Sequence, residues 1–342
     1  MKKYILLLAC VSLLISLGKS QESNCSFKEK YKLSLPAKLT VSSHVGATVI
    51  IPSENSEIEV LYIIKKNNNI ISINKNDIQK EGILLKVKKD KNRLDINVKY
   101  PINYFKLDFA NQIHIHFEIH VPKETSCNLV TDDGNITIHG LISDQQCKTD
   151  DGNIKISEVT GNITIKKYDS NINLYKINGS ISVVASDAIV HAEEINGSVY
   201  IKASDEGMFL NNIVGPVHCI ASEGNIELKN VVGKITAKTS EGHILFTNLS
   251  GSIDAHSMDG DIKGDIQELK SPITIETGGG NIDISFTNKV GVDLNIKGIR
   301  NDIPVKNFRG SSNRYFMKGK VNEGGIAVNL LSINGKINIA YK

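Results

Sequence analysis

An acidic residue returns every 18 positions between residues 133 and 259 of this chain. The series is Asp133, Asp151, Asp169, Asp187, Asp205, Glu223, Glu241 and Asp259. Glycine stands directly after the acid at Gly134, Gly152, Gly224, Gly242 and Gly260. A repeat of fixed length predicts a solenoid in which each interval is one turn of the coil, here called a rung. Asp151 and Asp169 are then expected to be neighbours on adjacent strands.

Apolar residues recur at the same interval and divide each rung into two halves. One column is Ile136, Ile154, Ile172, Val190, Met208, Ile226, Ile244 and Ile262. A second turn glycine recurs midway, at Gly161, Gly179, Gly197, Gly215, Gly233 and Gly251, and an aliphatic residue follows two positions later each time. Within a half, alternation such as Ile154-Lys155-Ile156 is typical of a strand with one buried face. The sequence therefore predicts an all-β solenoid, or β-helix, whose 18-residue rungs contain two short strands.

The regions around the regular repeat read as β structure of other kinds. Residues 21–130 contain alternating runs such as Ile113 to Val121 and are predicted to form an N-terminal β-strand cap region. Residues 131–342 are predicted to be the solenoid domain. Its register breaks after Gln267, so we expect irregular last rungs, separated by a polar insertion from Gly298 to Gly319.

The first twenty residues have the pattern of a secretory signal peptide. Lys2 and Lys3 precede an apolar run from Ile5 to Leu17, and small residues stand before Gln21. Lipid attachment at Cys10 is an alternative, but the apolar run continues past it. No later stretch has the ~20 apolar residues that a transmembrane helix needs. We therefore expect an exported protein without a transmembrane segment, located in the periplasm, on the outer surface or outside the cell.

Charge excludes one class of partner. Cleavage after residue 20 removes three of the 40 basic residues and no acid, which leaves 37 basic against 37 acidic residues. A chain without basic excess has no general attraction to nucleic acid or anionic lipid. We expect no nucleic-acid partner.

Several segments resemble the bacterial putative-adhesin family, an exported β-strand-repeat domain. The resemblance rests on Phe117 to Pro122 leading into Thr131-Asp132-Asp133-Gly134-Asn135-Ile136, on Thr239 to Ile244, on Gly251 to Ala255 and on Gly335 to Ile339. It covers most of residues 40–342 and implies a β-repeat fold. It brings no catalytic, cofactor-binding or metal residue to this chain, and none is assigned.

The acidic ladder has two interpretations. Eight carboxylates stacked at ~5 Å would repel one another unless something compensates. In the favoured interpretation each carboxylate accepts backbone N–H bonds at its own turn. The other is a column of bound cations, with Ca²⁺ the natural choice for oxygen ligands. A melting temperature that calcium leaves unchanged would exclude the cations.

A second group of metal-ligand types lies on one strand. His114, His116, Glu118 and His120 share one face by period-2 alternation, and such a set can hold zinc or copper. The opposite face, from Ile113 to Val121, belongs to the core. The favoured interpretation is a polar face that is rich in histidine, and metal binding stays open.

Three of the four cysteines after residue 20 are predicted to be free and buried. Cys127 and Cys147 fall on neighbouring rungs but two residues apart along the strand, which separates their Cα atoms by roughly 8 Å. Cys219 lies four rungs beyond Cys147. A disulfide does not fit these offsets, whereas a thiol serves well as a small core side chain.

The functional prediction is a non-enzymatic binding or adhesion module of the cell envelope, without a cofactor. Its partner would be a surface ligand, a glycan or a protein, held by contacts along a strand face. One alternative is an assembly element whose exposed end rungs pair with another chain. The other is a carbohydrate-active β-helix enzyme, which the absence of an evident aromatic platform disfavours. Ligand identity, oligomeric state and the handedness of the coil are left open by the sequence.

Overall fold

The computed structural model describes residues 25–101, 112–169, 171–286, 290–302 and 306–341. The predicted signal peptide and Cys10 lie outside these residues. Within them the chain forms thirty strands and one short helix. The prediction of an all-β fold is confirmed.

The elements that precede the regular repeat are β1 (Phe27–Lys32), β2 (Lys38–Val45), β3 (Thr48–Ser53), β4 (Glu57–Lys66), β5 (Asn69–Ile70), α1 (Lys75–Lys80), β6 (Leu84–Lys89), β7 (Arg93–Lys99) and β8 (Ile113–Pro122). The repeat contains β9 (Ser126–Asp133), β10 (Ile136–His139), β11 (Gln145–Asp151), β12 (Ile154–Thr160), β13 (Ile163–Asp169), β14 (Ile172–Asn178), β15 (Ile181–Val184), β16 (Val190–Asn196), β17 (Val199–Lys202), β18 (Met208–Val214), β19 (Val217–Ile220), β20 (Ile226–Thr239), β21 (Ile244–Ser257) and β22 (Ile262–Leu269). The last elements are β23 (Ile273–Thr277), β24 (Ile282–Phe286), β25 (Val292–Lys297), β26 (Arg300–Asp302), β27 (Phe308–Ser312), β28 (Phe316–Val321), β29 (Ile326–Ser332) and β30 (Lys336–Tyr341).

Strands of the repeat pair in parallel with the equivalent strands one rung away. Ile154 on β12 faces Ile172 on β14, and Asp151 on β11 faces Asp169 on β13, each 18 residues apart. Strands β10, β12, β14, β16 and β18 form one stack, whose outer side is called the front face. Strands β11, β13, β15, β17 and β19 form the other, whose outer side is called the back face. The predicted two-strand rung is confirmed.

The space between the two stacks is filled by the predicted apolar columns. Ile154, Ile172 and Met208 are completely buried. The exposed fraction of their counterparts on the other stack is no more than a few per cent. A lone rung would leave these side chains in water, whereas stacking buries them on both sides. Burial of one continuous core therefore holds the rungs together.

The midway glycines are required by the close approach of successive turns. Gly197 has φ +154°, and a Cβ there would lie 2.3 Å from the carbonyl oxygen of Gly179 on the preceding rung. That oxygen belongs to the backbone and cannot move aside. Any larger residue would force the rungs apart.

The front strands share a second backbone feature that the sequence did not reveal. One outward residue in each rung adopts a left-handed conformation, with φ between 53° and 59°. The column is Glu158, Lys176, Glu194, Asn212, Asn230 and Asn248. Asparagine tolerates this conformation better than other residues with a side chain. The three asparagines also bond to one another, since Asn230 Nδ2 donates to Asn212 Oδ1 at 2.8 Å and Asn248 Nδ2 donates to Asn230 Oδ1 at 2.9 Å.

The first rungs do not follow chain order. Strand β2 lies between β7 and β9, and β3 lies between β8 and β10, all in parallel register. The rung formed by β7 and β8 therefore lies nearer the end of the stack than the rung formed by β2 and β3, although β2 and β3 come first in sequence. The chain then passes back to continue on the inner side with β9.

The C-terminal rungs show the same exchange. Strand β29 lies between β23 and β25, and β30 lies between β24 and β26. The final strands of the chain are thus inserted beneath a rung that was formed earlier in sequence. The expected irregular last rungs are present, and much of the expected polar insertion belongs to the outer strands β26, β27 and β28.

Antiparallel strands cover three of the four strands in the two end rungs that the structure describes. At one end β6 pairs with β7, and β4 pairs with β8. At the other end β28 pairs with β25 and carries β27 on its outer edge. Covering a parallel edge in this way removes a template for pairing with another chain.

The division into a cap region of residues 21–130 and a solenoid domain of residues 131–342 stays a prediction, because β9 runs from Ser126 to Asp133 across the boundary. Among the described helical residues, none forms a segment both long and apolar enough to cross a membrane.

Candidate functional site

The eight carboxylates of the acidic ladder lie in one exposed column along the edge of the stack. Asp133, Asp151 and Asp169 are direct register partners, and Asp169 forms a parallel bridge with Asp187. Every member of the ladder is exposed to solvent. The sequence-based prediction of their alignment is confirmed.

The capping role that we expected of these carboxylates belongs to other residues. In the turns of the described chain, the backbone N–H of Asn153 donates to Asn135 Oδ1 at 2.8 Å, and His243 N–H donates to Asn225 Oδ1 at 2.8 Å. Buried hydroxyls serve on the inner side, where Gly260 N–H donates to Ser257 Oγ at 2.8 Å. No ladder carboxylate caps a turn in these hydrogen bonds. The side chains that accept from the next rung include amides such as Asn135 and also the carboxylates of Asp144 and Asp261, which stand outside the ladder.

Mutual repulsion within the ladder is visible at its centre. Partial desolvation, and then the negative charges of Asp205, Asp169 and Glu206, raise the pKa of the Asp187 carboxyl above its ordinary value. The neighbouring carboxylates therefore add to the effect of desolvation on the pKa of Asp187.

The histidine-rich face of β8 is half-buried between β3 and β4. His116 Nδ1 accepts the backbone N–H of Ala47 at 3.0 Å, and His120 Nε2 lies 2.8 Å from Glu118 Oε1. Burial, and then the positive charge of Lys65, lowers the pKa of His116 to about 4. A neutral His116 that accepts at Nδ1 keeps its proton on Nε2, so it has no free lone pair for a metal.

Burial also lowers the pKa of His114. In the part of the chain that the structure describes, no three His, Cys, Asp or Glu side chains come together as metal ligands would. Strand β8 thus brings its four polar residues onto one face, as predicted, in a hydrogen-bonding arrangement that suits a structural role.

The cysteines lie where the register predicts. Cys127 faces Gln145 and Cys147 faces Leu129, so the two thiols are offset by two residues along adjacent strands. Cys127, Cys147 and Cys219 are buried and unbridged. Burial raises the pKa of the Cys147 and Cys219 thiols to about 12, which keeps them protonated and unreactive.

The front face carries a groove that crosses the strands. It is called the axial groove, and two columns of outward side chains line it: His191, Phe209, Glu227 and Leu245 on one side, and Glu193, Asn211, Lys229 and Thr247 on the other. Each column consists of direct register partners on four successive rungs. At ~4.8 Å per rung the groove is about 14 Å long. It encloses about 350 Å³.

The first wall of the axial groove is largely apolar at one end. The rings of His191 and Phe209 stack with centroids 4.9 Å apart and planes 14° apart. Phe209 also rests against Gly207, where a Cβ would lie 3.0 Å from the ring edge. Leu245 is exposed two rungs further along. These contacts hold the aromatic pair in place at the side of the groove.

The second wall is a hydrogen-bonded row. Asn211 Nδ2 donates to Glu193 Oε1 at 3.0 Å, and Asn230 Nδ2 donates to Asn211 Oδ1 at 3.1 Å. Lys229 follows on the next rung and is exposed. The groove therefore has a ring-bearing side and a polar side on which Glu193 and Asn211 are held by hydrogen bonds.

A second groove, called the back groove, lies on the opposite face near the irregular rungs. It encloses about 690 Å³ between Ile220, Lys238, His256 and Glu276 on one side and Ser240, Met258 and Ile333 on the other. His256 Nε2 lies 2.7 Å from Asp254 Oδ1, and its Nδ1 lies 3.3 Å from Glu276 Oε2. Both ring nitrogens are therefore engaged by carboxylates of the same face.

A family model for the Toastrack DUF4097 domain matches residues 37–340 of this chain. The chain belongs to the Toastrack DUF4097 family. The resemblance seen in the sequence is thereby confirmed at the level of the family, and so is the β-solenoid fold of this Toastrack chain.

Two solved structures are similar to the Toastrack chain. A putative adhesin from Bacteroides fragilis is 18% identical and matches with a TM-score of 0.33 over 75% of this chain and 96% of its own. A putative cell adhesion protein from Clostridium sporogenes is 11% identical, with a TM-score of 0.19 over 92% of this chain and 99% of its own. A search of the curated proteins found no match.

Sequence reasoning missed the aromatic residues of this Toastrack protein's surface. The His191–Phe209 pair on the front face has a counterpart on the back face, where Tyr200 and His218 stack with centroids 5.3 Å apart. These two stacked pairs were not identified from the sequence. The available signal was the 18-residue spacing of His191 and Phe209 in an outward column that continues with Glu227 and Leu245.

Proposed function

We propose that this protein is an exported binding module of the cell envelope that holds an extended ligand along its front face. The axial groove carries the proposal. It is open to solvent, crosses four rungs and presents fixed side chains on a rigid stack of paired strands. A site of this kind makes many modest contacts with a long ligand instead of enclosing a small one.

The ends of the stack support binding over end-to-end assembly. An assembly element would pair through an open parallel rung, yet antiparallel strands cover β7, β8 and β25, so that among the described strands of the two end rungs β26 alone keeps an uncovered edge. The side faces are broad and repetitive by comparison. They are the surfaces on which a partner finds side chains in a regular array.

Export remains part of the proposal. It rests on Lys2, Lys3 and the apolar run from Ile5 to Leu17. Three buried, unbridged cysteines are compatible with an exported chain because their thiols are shielded from oxidation by the core. The absence of catalysis is likewise a prediction.

The test has two parts. Fractionation of the native cells should place the protein in the periplasm, in the outer envelope or in the medium, and a cytoplasmic location would contradict the proposal. The purified protein is then incubated with the envelope fraction of the same cells. Saturable binding without products is the expected result. Formation of products would indicate the enzyme, and oligomers that grow with concentration and no envelope binding would indicate assembly.

A further inference from the structure

We propose that the axial groove binds a chain of uncharged sugars. This inference rests on the proposed binding function and specifies its ligand. Its basis is the way in which the two walls combine stacked rings with fixed polar groups at the spacing of one rung.

The face of a fully paired sheet restricts the kind of ligand it can hold. Strands β16, β18, β20 and β21 are bonded to neighbours on both sides along the groove. Their N–H and C=O groups are therefore committed to the sheet. A peptide that binds by adding a strand has no free edge here. The ligand must bind through side chains and supply its own hydrogen-bonding groups.

The two walls differ in chemistry in a manner that suits a sugar ring. A pyranose has faces of C–H groups and a rim of hydroxyls. Phe209 and Leu245 offer apolar surface for the C–H groups on one wall. On the other wall Glu193 and Asn211 offer acceptors and donors that are already oriented by their mutual bond of 3.0 Å. Prior orientation reduces the entropy lost when hydroxyls bind.

Charge selects among sugars. Two carboxylates, Glu193 and Glu227, stand in the groove against the one ammonium group of Lys229. The acidic ladder contributes further negative potential at the edge of the stack. A polyanion such as a uronic-acid polymer or a nucleic acid is repelled by this surface. Uncharged residues, including N-acetylated ones, experience no such penalty.

The size and openness of the groove indicate several weak contacts. A length of about 14 Å spans a few sugar rings, and 350 Å³ is at the lower end of ordinary ligand sites. Binding to one oligosaccharide should therefore be weak, and many copies on a surface would increase it by avidity.

The experiment is isothermal titration of the purified protein with two uncharged hexasaccharides, chitohexaose and cellohexaose, and with hexagalacturonate. Binding of at least one uncharged hexasaccharide that survives an increase in salt is expected, since no ion pair is involved. Phe209→Ala should weaken that binding about tenfold. Tyr200→Ala is the matched control because it removes an equivalent stacked ring from the back face and should change the affinity less than about twofold.

Three results would overturn the inference. They are tighter binding of hexagalacturonate, loss of binding in Tyr200→Ala but not in Phe209→Ala, and loss in Met258→Ala, which would place the ligand in the back groove. Circular dichroism of each variant confirms that it is folded.

Envelope fractions separate failure of this inference from failure of the proposed function. Protease treatment should leave binding to these fractions intact, and an excess of chitohexaose or cellohexaose should displace it. Binding that neither hexasaccharide displaces and that is lost after protease would refute the sugar ligand while the binding module stands. Absence of binding to any fraction would refute both.

Discussion

The ring of Phe246 occupies the space that a side chain on Gly264 would need. The two residues are register partners on successive rungs, and Phe246 is completely buried. A Cβ on Gly264 would lie 2.3 Å from the ring. The ring of Phe246 thus fills this layer of the core by itself, and Gly264 contributes no side chain to it.

This pairing predicts a strong coupling between the two positions. Gly264→Ala should lower the free energy of unfolding by about 2–3 kcal/mol because the ring has nowhere to move. Phe246→Leu makes room, so the double variant should recover about 1–2 kcal/mol relative to the sum of the single changes. Urea denaturation of the four proteins measures this, and strictly additive values would show that the side chains do not compete for space.

The left-handed column offers a stabilising substitution. Glu194 has φ 56°, a conformation that costs less for asparagine. Glu194→Asn should raise the free energy of unfolding by about 1 kcal/mol and extend the asparagine ladder of Asn212 and Asn230. Lys155→Asn, in the extended part of a front strand, serves as the control and should give no gain. Equal effects of the two changes in thermal melts would contradict the role of backbone conformation.

The acidic ladder should respond to removal of one charge. Because the pKa of Asp187 is raised in the folded state, its carboxylate opposes folding above the unfolded pKa, and that opposition disappears as pH falls and the group is protonated. Asp187→Asn should therefore raise the melting temperature at neutral pH and low salt. The gain should shrink in acid and in 1 M salt. A gain that is independent of salt would exclude charge repulsion as the cause.

The network around Glu29 has the opposite pH dependence. Burial acts to raise the pKa of Glu29, but hydrogen bonds from Tyr31, Tyr62 and Lys75 outweigh it and lower the pKa. A lowered pKa gives stability that is present above the unfolded pKa and lost as pH falls through the folded one. Tyr31→Phe should cost about 1 kcal/mol at pH 7, a modest value because Glu29 is partly exposed. The cost should diminish in acid melts, and a constant cost would point to packing instead.

Thiol chemistry provides a test of the core register. In the folded protein, Cys127, Cys147 and Cys219 should remain unmodified by a thiol reagent at pH 8, because they are buried and remain protonated. All three should react in 8 M urea. Mass spectrometry of tryptic peptides locates the modified residues, and rapid labelling of Cys147 in the native state would contradict the inward register of β11.

The repeat was predictable because its contacts occur at one constant separation. Every rung meets only its neighbours, so Asp151 and Asp169, or Ile154 and Ile172, record their contact as a spacing in the sequence. The burial of Cys147 follows from the same rule. Alternation within each half then decides which side chains face the core.

The axial groove was less accessible to such reasoning. Phe209 lies one position after the buried Met208, where the pattern predicts a solvent-facing residue of any type. A groove is recognised only when four rungs are placed side by side, which brings His191 and Phe209 opposite the wall that contains Glu193 and Asn211. The capping of turns by Asn135 and Ser257 was missed for a related reason: the acids of the ladder are the more conspicuous column, but side chains outside the ladder make these bonds.

The sequence by itself determined the rung, its two strands, the inward columns and the glycines at the turns, since each depends on neighbours at a fixed interval. Only the tertiary structure decided the order of the terminal rungs, where β2 lies beneath the rung of β7 and β8, and β29 and β30 are inserted beneath β25 and β26. Several edges of similar register compete at each end of the stack. Which strand occupies which edge is settled by the packing of distant segments, which leaves no periodic trace in the chain.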